Sequence, residues 1–333
     1  MAVKVGLVQI NNSFSGQNYL PYSVGILQAY AEEHLEHPQD YEFLLPVYQR
    51  LPVDEAVLGL ADAEVVFFSS YVWNIRLTLA IAQALKRRNP DVLTVFGGPQ
   101  VPDRGEKFLR ENACVDLACH GEGEQVFLSI LENLPSREWT KVPSLSFLDQ
   151  DLELHQTPRV PRLKDLSAVP SPYLGGVFDE LMERNPGEQW LALWETNRGC
   201  PFSCTFCDWG SAVASKVYRF DLDTLYAELE WFAAHRIEFI FCADANFGIL
   251  PRDLDLVKYA ADVRERTGYP HALSVQNTKN ATDRAYEVQK LLAAAGLNKG
   301  VTIAFQSQDP TTLDNVKRGN ISLDSYRELQ QRF

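Results

Sequence analysis

Cys200-Pro201-Phe202-Ser203-Cys204-Thr205-Phe206-Cys207 sets three thiols at Cys-x3-Cys-x2-Cys spacing, directly after the apolar run Trp190-Leu191-Ala192-Leu193-Trp194. The residues before this stretch read as one domain, and those after it as the start of another. Iron–sulfur clusters are held by thiolates, and a [4Fe–4S] cluster normally takes four. Three clustered cysteines therefore leave either a fourth ligand to be found elsewhere or one iron open. Zinc is a rival: Cys242 or His235 can supply a fourth ligand, but no second ligand pair follows at zinc-finger spacing. The third alternative is buried structural cysteines, and three within eight residues argue against it.

Working forward from the cysteines, a helix from about Leu222 carries Leu225, Leu229 and Phe232 on one face. A strand over 238–242 leads into Asp244-Ala245-Asn246, followed by a helix over 252–266. Strands over 272–276 and 300–305 each precede further helix, the last after Gln306-Ser307-Gln308. Four βα units are visible, fewer than a closed barrel needs. The expectation is a fragment, or a barrel left incomplete.

Working backward, strands and helices alternate again. Val3-Lys4-Val5-Gly6-Leu7-Val8 reads as a first strand, and Val65-Val66-Phe67-Phe68 has the continuous apolar character of a strand buried on both faces. Such alternation implies a parallel sheet wrapped by helices, with its ligand at the carboxyl ends of the strands. The loops there are Ser69-Ser70-Tyr71-Val72-Trp73-Asn74, Gly97-Gly98-Pro99-Gln100 and Gly121-Glu122-Gly123-Glu124. Small residues let the backbone approach a bulky ligand, although ordinary strand-to-helix turns need glycine as well. Neither G-x-G-x-x-G nor G-x-x-x-x-G-K-[ST] occurs, which removes support for nucleotide folds of those types. Prolines punctuate 157–172, so the division expected is a first domain over 1–135, a connector with a small hairpin over 136–187, and a second domain over 188–333.

Composition agrees with two packed domains: 333 residues, 46% hydrophobic and 11% aromatic. The formal charge of -13, from 31 basic and 44 acidic residues, argues against a nucleic-acid partner. No apolar run approaches the roughly 18–20 residues of a membrane span. With a strand at the N-terminus and no signal-peptide pattern, a soluble, cytoplasmic protein is expected. There, clustered cysteines favour metal over disulfides.

Arg198-Gly199-Cys200-Pro201-Phe202-Ser203-Cys204-Thr205-Phe206-Cys207 resembles the signature of the radical S-adenosylmethionine (SAM) superfamily, including Phe206, the aromatic before the last cysteine. The three strand-end loops, with the connector Leu166-Ser167-Ala168-Val169-Pro170-Ser171-Pro172-Tyr173, resemble those of cobalamin-dependent radical SAM enzymes, so the likeness covers essentially the whole chain. It implies an α/β protein: an N-terminal Rossmann-like (flavodoxin-like) cobalamin-binding domain, then a partial (β/α) radical SAM barrel. In this family the open iron chelates SAM, and one electron cleaves it to methionine and a 5′-deoxyadenosyl radical. The implied activity is that of the class B radical SAM methylases. One SAM methylates cob(I)alamin, and the substrate radical made with a second takes the methyl from methylcobalamin at a carbon or phosphorus centre. Implied partners are a small-molecule, natural-product or peptide substrate and a flavodoxin- or ferredoxin-type electron donor. A cobalamin-using radical SAM cyclase without net methylation and a non-catalytic metal-binding module are the rivals.

By position, the resemblance assigns Cys200, Cys204 and Cys207 to the cluster. SAM falls to Phe206, to Asp244 and Asn246 after the second barrel strand, and to Gln306 and Ser307 after the fourth. Cobalamin falls to Ser69, Ser70, Tyr71, Trp73, Asn74, Gly97, Gly98, Pro99, Gln100, Gly121, Glu122 and Gly123. The Asp-x-His-x-x-Gly motif that ligates cobalt in many cobalamin proteins is absent. That suggests base-off cobalamin with Trp73 shielding the lower face, since an indole offers cobalt no lone pair; packing in a core is the alternative for Trp73. Cys114, Cys119, Cys242 and His120 read as buried or strand-end residues, and no residue is singled out as catalytic.

Overall fold

β1 (Val3–Val8) buries its apolar residues on both sides. In this computed structural model, which describes residues 2–207, 215–278, 280, 283–298, 300–301 and 306–332, that strand is central to the first of two compact units. The first unit comprises 1–163 with 168–188, and the second 164–167 with 189–333.

After β1 come a two-residue strand, β2 (Asn18–Tyr19), and then α1 (Tyr22–His34), β3 (Tyr41–Phe43) and α2 (Val53–Gly59). Next are β4 (Val65–Ser69), α3 (Ile75–Arg88), β5 (Leu93–Gly97), α4 (Glu106–Glu111), β6 (Leu117–Cys119) and α5 (Glu124–Asn133). The parallel strands run β3-β1-β4-β5-β6, the 2-1-3-4-5 order of flavodoxin-like sheets. Alternation along β4 explains the two layers. Val66 and Phe68 pack with Ile81, Ala82 and Leu85 of α3, whereas Val65 and Phe67 pack with Val24 of α1 and Phe127 of α5. Fully burying each of the Val, Leu, Ile and Phe side chains among them stabilises by about 1.5–3 kcal/mol.

The hairpin expected inside the connector is present, but it belongs to this sheet. β7 (Leu145–Leu148) pairs antiparallel with β6, and β8 (Leu154–Gln156) pairs antiparallel with β7. Downstream, Tyr173 stacks on Tyr22 of α1 at 5.8 Å, and the Phe178 ring lies where a side chain at Gly25 would sit. Residues 136–187 are therefore mostly part of the first unit rather than a free connector, and α6 (Asp179–Arg184) closes that unit.

The second unit opens with β9 (Trp190–Trp194), followed by the two-residue strands β10 (Asn197–Arg198) and β11 (Tyr218–Arg219). Then come α7 (Leu222–Ala234), β12 (Phe239–Cys242), α8 (Asp253–Thr267), β13 (Ala272–Ser274), α9 (Asp283–Ala294), α10 (Pro310–Asn315) and α11 (Leu323–Arg332). β9, β12 and β13 are parallel neighbours with helices between them, forming a partial, unclosed sheet among the described residues. The strand expected over 300–305 falls largely on 302–305, outside the described residues. None of the described helices is long and apolar enough to cross a membrane.

Candidate functional site

In the first unit, the loops after β4, β5 and β6 sit side by side because the strands are neighbours. The first two loops are stitched together: Ser70 N–H donates to the Gly97 carbonyl at 2.8 Å, and Gln100 N–H donates to the Ser70 carbonyl at 3.1 Å. Gly98 has φ of +97°, and a Cβ there would stand 2.7 Å from the Ser70 carbonyl oxygen. Only glycine allows that approach. Ser70 Oγ is buried without a hydrogen-bond partner among the described residues, an unspent polar group at the strand ends. Pro99 and Gly121 are exposed, and nothing lies within 4 Å of where a Gly121 Cβ would be. Gly123 instead packs against Leu27 of α1.

Trp73 is 43% exposed and stacked on Tyr71 at 4.5 Å, so it does not pack in a core. Tyr71 is fixed in turn by Ser23, whose Oγ lies 2.9 Å from its hydroxyl, and the Arg50 guanidinium donates to the Trp73 carbonyl. Two of the expected cobalamin residues have their side chains spent on other parts of the first unit. Asn74 is buried, accepting from Tyr71 N–H at 2.8 Å and donating to the Ile10 and Ser69 carbonyls at 3.0 Å each. Both carboxylate oxygens of Glu122 are taken, one by Arg162 Nε at 2.9 Å and the other by Leu163 N–H at 2.7 Å. The Asn74 bonds to Tyr71 and Ser69 are the local contacts with neighbouring backbone that short polar side chains favour.

The cysteine loop of the second unit leaves β9 and returns to α7 through a narrow neck. β10 and β11 pair across it, and Phe220 N–H donates to the Thr196 carbonyl at 3.1 Å. Arg252 spans the same neck, donating to the Phe220 and Thr196 carbonyls at 2.5 Å each. Gly199 has φ of +123°, and any Cβ would collide with the Lys216 carbonyl. Cys200 and Cys204 are buried and Cys207 is half-buried, and none of the three is in a disulfide among the described residues. Among the described residues no three Cys, His, Asp or Glu side chains form a ready metal cage, so the loop supplies ligands rather than a finished cavity. Its donor chemistry nonetheless suits a cluster. Asn246 Nδ2 donates to Cys200 Sγ at 3.2 Å, and Arg318 Nη1 approaches Cys204 Sγ at 3.8 Å.

Asp244, which the resemblance assigns to SAM, has both carboxylate oxygens engaged within its own unit. It is 1% exposed, and Oδ1 accepts the Thr196 and Asn197 N–H groups at 2.8 and 3.1 Å. Oδ2 accepts from Thr196 Oγ1 at 2.5 Å and Asn197 Nδ2 at 2.7 Å. The carboxylate holds the corner before the cysteines through these four bonds. Burial pushes it up to about 7, against the lowering effect of the Thr196 and Asn197 donors. Ser307 is likewise spent locally, its Oγ accepting from Asp309 N–H at 3.1 Å, while Gln306 is exposed. Phe206 is 49% exposed beside Cys207. The cysteines outside the motif behave as expected: burial raises the Cys114 thiol, lifts Cys119 to about 12 and holds Cys242 well above the ordinary thiol value. His120 is buried with Nε2 2.8 Å from Ser146 Oγ.

Sequence reasoning missed Thr196, Asn197, Arg252 and Arg318. Their partners lie far along the chain; a buried arginine shows no periodic signal.

Residues 20–131 match the B12 binding domain family, and residues 194–330 match the radical SAM superfamily. The chain is 42% identical, over 95% of its length, to the cobalamin-dependent radical SAM methyltransferase TokK of Streptomyces tokunonensis. It is 43% identical, again over 95%, to the 2-(S-pantetheinyl)-carbapenam-3-carboxylate methyltransferase of Streptantibioticus cattleyicolor. It spans 47% of the length of each of these curated relatives. Among solved structures, the radical SAM methyltransferase TsrM of Kitasatospora setae superposes with a TM-score of 0.73 at 17% identity, covering 100% of this chain and 65% of that one. The cobalamin-dependent SAM radical enzyme OxsB superposes with 0.69 at 17% identity, covering 95% of this chain and 45% of that one. The flavodoxin-like first sheet and the partial βα second unit are thus a shared architecture, and the chain belongs to the cobalamin-dependent radical SAM family.

Proposed function

We propose that the chain is the cofactor-binding part of a methyltransferase that moves a methyl group to a carbon of a small-molecule substrate. The observation carrying this reading is the 42–43% identity, across both domains, to two methyltransferases. A carboxylate of the S. cattleyicolor relative's substrate type is the first class to test. When bound, the cluster with SAM supplies a carbon-centred radical for hydrogen abstraction, and cobalamin supplies the methyl group.

The chain's own residues would divide the labour as follows. Cys200, Cys204 and Cys207 would hold the cluster on a loop pinned by Arg252 and Asp244. Phe206 and Gln306 would meet SAM, with Asn246, Asp244 and Ser307 supporting from behind. Gly97, Gly98, Pro99, Gln100 and Gly121, with Ser69 and Ser70, would line the corrin, and Tyr71 and Arg50 would hold the Trp73 indole against it. An external flavodoxin- or ferredoxin-type protein would deliver the electron.

The test is anaerobic reconstitution with iron, sulfide and aquocobalamin, followed by SAM and candidate carboxylates. Bound iron and corrin together with a product heavier by one CH2 are expected. A chain that binds corrin but gives products without the added CH2 would sink methyl transfer and favour the cyclase chemistry, and a chain that never retains corrin would sink both.

A further inference from the structure

Two side chains outside the cysteine motif reach its sulfurs. Asn246 follows β12 and is 46 residues from Cys200; Arg318 follows α10 and is 114 residues from Cys204. All four residues are buried, at 0%, 1%, 5% and 2% exposure for Asn246, Cys200, Arg318 and Cys204. Arg318 is held in place: its Nε donates to Asn320 Oδ1 at 2.8 Å and its backbone N–H to the Leu313 carbonyl at 2.9 Å. The same segment is tied to the loop beside Cys204, because Thr205 N–H donates to the Val316 carbonyl at 3.0 Å.

A guanidinium is costly to bury unless negative charge lies near it. A neutral thiol is a weak acceptor, whereas a thiolate bound to iron carries the charge that such a donor meets. Hydrogen bonds to cluster sulfurs and nearby cations stabilise the more negative, reduced state and raise its potential. Burial strengthens both effects by lowering the local dielectric.

We infer that Asn246 and Arg318 are positioning residues that raise the reduction potential of the cluster through Cys200 and Cys204. This rests on the cluster assignment proposed above, and the experiment separates the two. Wild type, Asn246→Ala, Arg318→Gln and Arg318→Lys are reconstituted anaerobically, and each is measured for iron per chain, far-UV circular dichroism and midpoint potential by dithionite titration without SAM. The expected result is folded variants that keep their iron. Asn246→Ala and Arg318→Gln should be harder to reduce by tenfold or more in the equilibrium constant, about 59 mV for one electron, with Arg318→Lys nearer to wild type. Wild type that binds no iron would defeat the cluster assignment itself. With iron bound in wild type, three results would overturn the inference: unchanged potentials, Arg318→Lys as displaced as Arg318→Gln, or variants that unfold or lose iron. The last would mark the two side chains as part of the frame.

Discussion

Asp244 receives Asn197 twice, through its backbone N–H at 3.1 Å and its side-chain amide at 2.7 Å. With the two bonds from Thr196, one buried carboxylate from the second strand sets the corner from which the cysteine loop starts. The loop's direction is thus determined by a residue 48 positions away from Thr196.

Replacing Asp244 tests that arrangement through its pH dependence. Burial raises the Asp244 carboxyl from its ordinary 3.8 to about 7, so the folded state holds the proton more tightly than the unfolded chain. Its stabilisation is full below about pH 4 and is lost as pH rises through about 7. Asp244→Asn does not titrate and turns an N–H donor toward the Asn197 amide, costing about 1–3 kcal/mol. In urea titrations the deficit of the variant should be larger at pH 5 than at pH 8. An equal deficit at both would mean that the carboxylate is already charged and solvated.

Gly199 is where the loop meets its own return strand. Its φ of +123° and the nearby Lys216 carbonyl leave no room for a methyl group. Gly199→Ala should cost on the order of 1–3 kcal/mol in local strain and reduce iron retention more than it changes far-UV circular dichroism. Gly187→Ala, with open space around it, is the control expected to match wild type in both.

Much of this was legible in residue patterns. The both-faced apolar run of β4 and its 3.6-period helices imply a doubly wound sheet, and β3-β1-β4-β5-β6 is such a sheet. The Cys-x3-Cys-x2-Cys spacing points to cluster chemistry without any coordinates. The hairpin β7–β8 was readable as a hairpin, but its pairing onto β6 depends on an edge that local sequence does not describe. Asp244 and Glu122 follow strands where ligand contacts are expected, yet their acceptors are filled by Thr196 and Asn197 and by Arg162 and Leu163. Residue type and position suggested the right places; whether a polar group faces a ligand or its own loop was set by partners about 40 or more residues away.

Gly98 offers a test in the first unit. A Cβ at 2.7 Å from the Ser70 carbonyl oxygen must push the β4 and β5 loops apart. Gly98→Ala should leave the unit folded, since the clash is at its edge, while weakening aquocobalamin binding by tenfold or more, about 1.4 kcal/mol. Equilibrium binding followed by the corrin absorbance checks this, and unchanged affinity would remove these loops from the corrin site.

The six cysteines separate into two chemical groups. Iron needs thiolates, and a thiol buried in apolar surroundings gives up its proton reluctantly. Burial raises Cys114 and Cys119, and burial together with the Asp244 carboxylate raises Cys242, so these three are poor ligands. Cys200, Cys204 and Cys207 instead share one loop, with N–H donors directed at the first two. Single alanine substitutions at Cys200, Cys204 or Cys207 should each abolish most iron binding after anaerobic reconstitution. Cys114→Ala, Cys119→Ala and Cys242→Ala should retain it, with small losses of stability from the space left behind. Cys242 is the discriminating position: it lies at the end of β12, two residues before Asp244, and is the fourth thiol a zinc site would recruit. If Cys242→Ala releases the metal, or if the bound metal is zinc, the chain holds a four-ligand structural site and the open iron is lost with it.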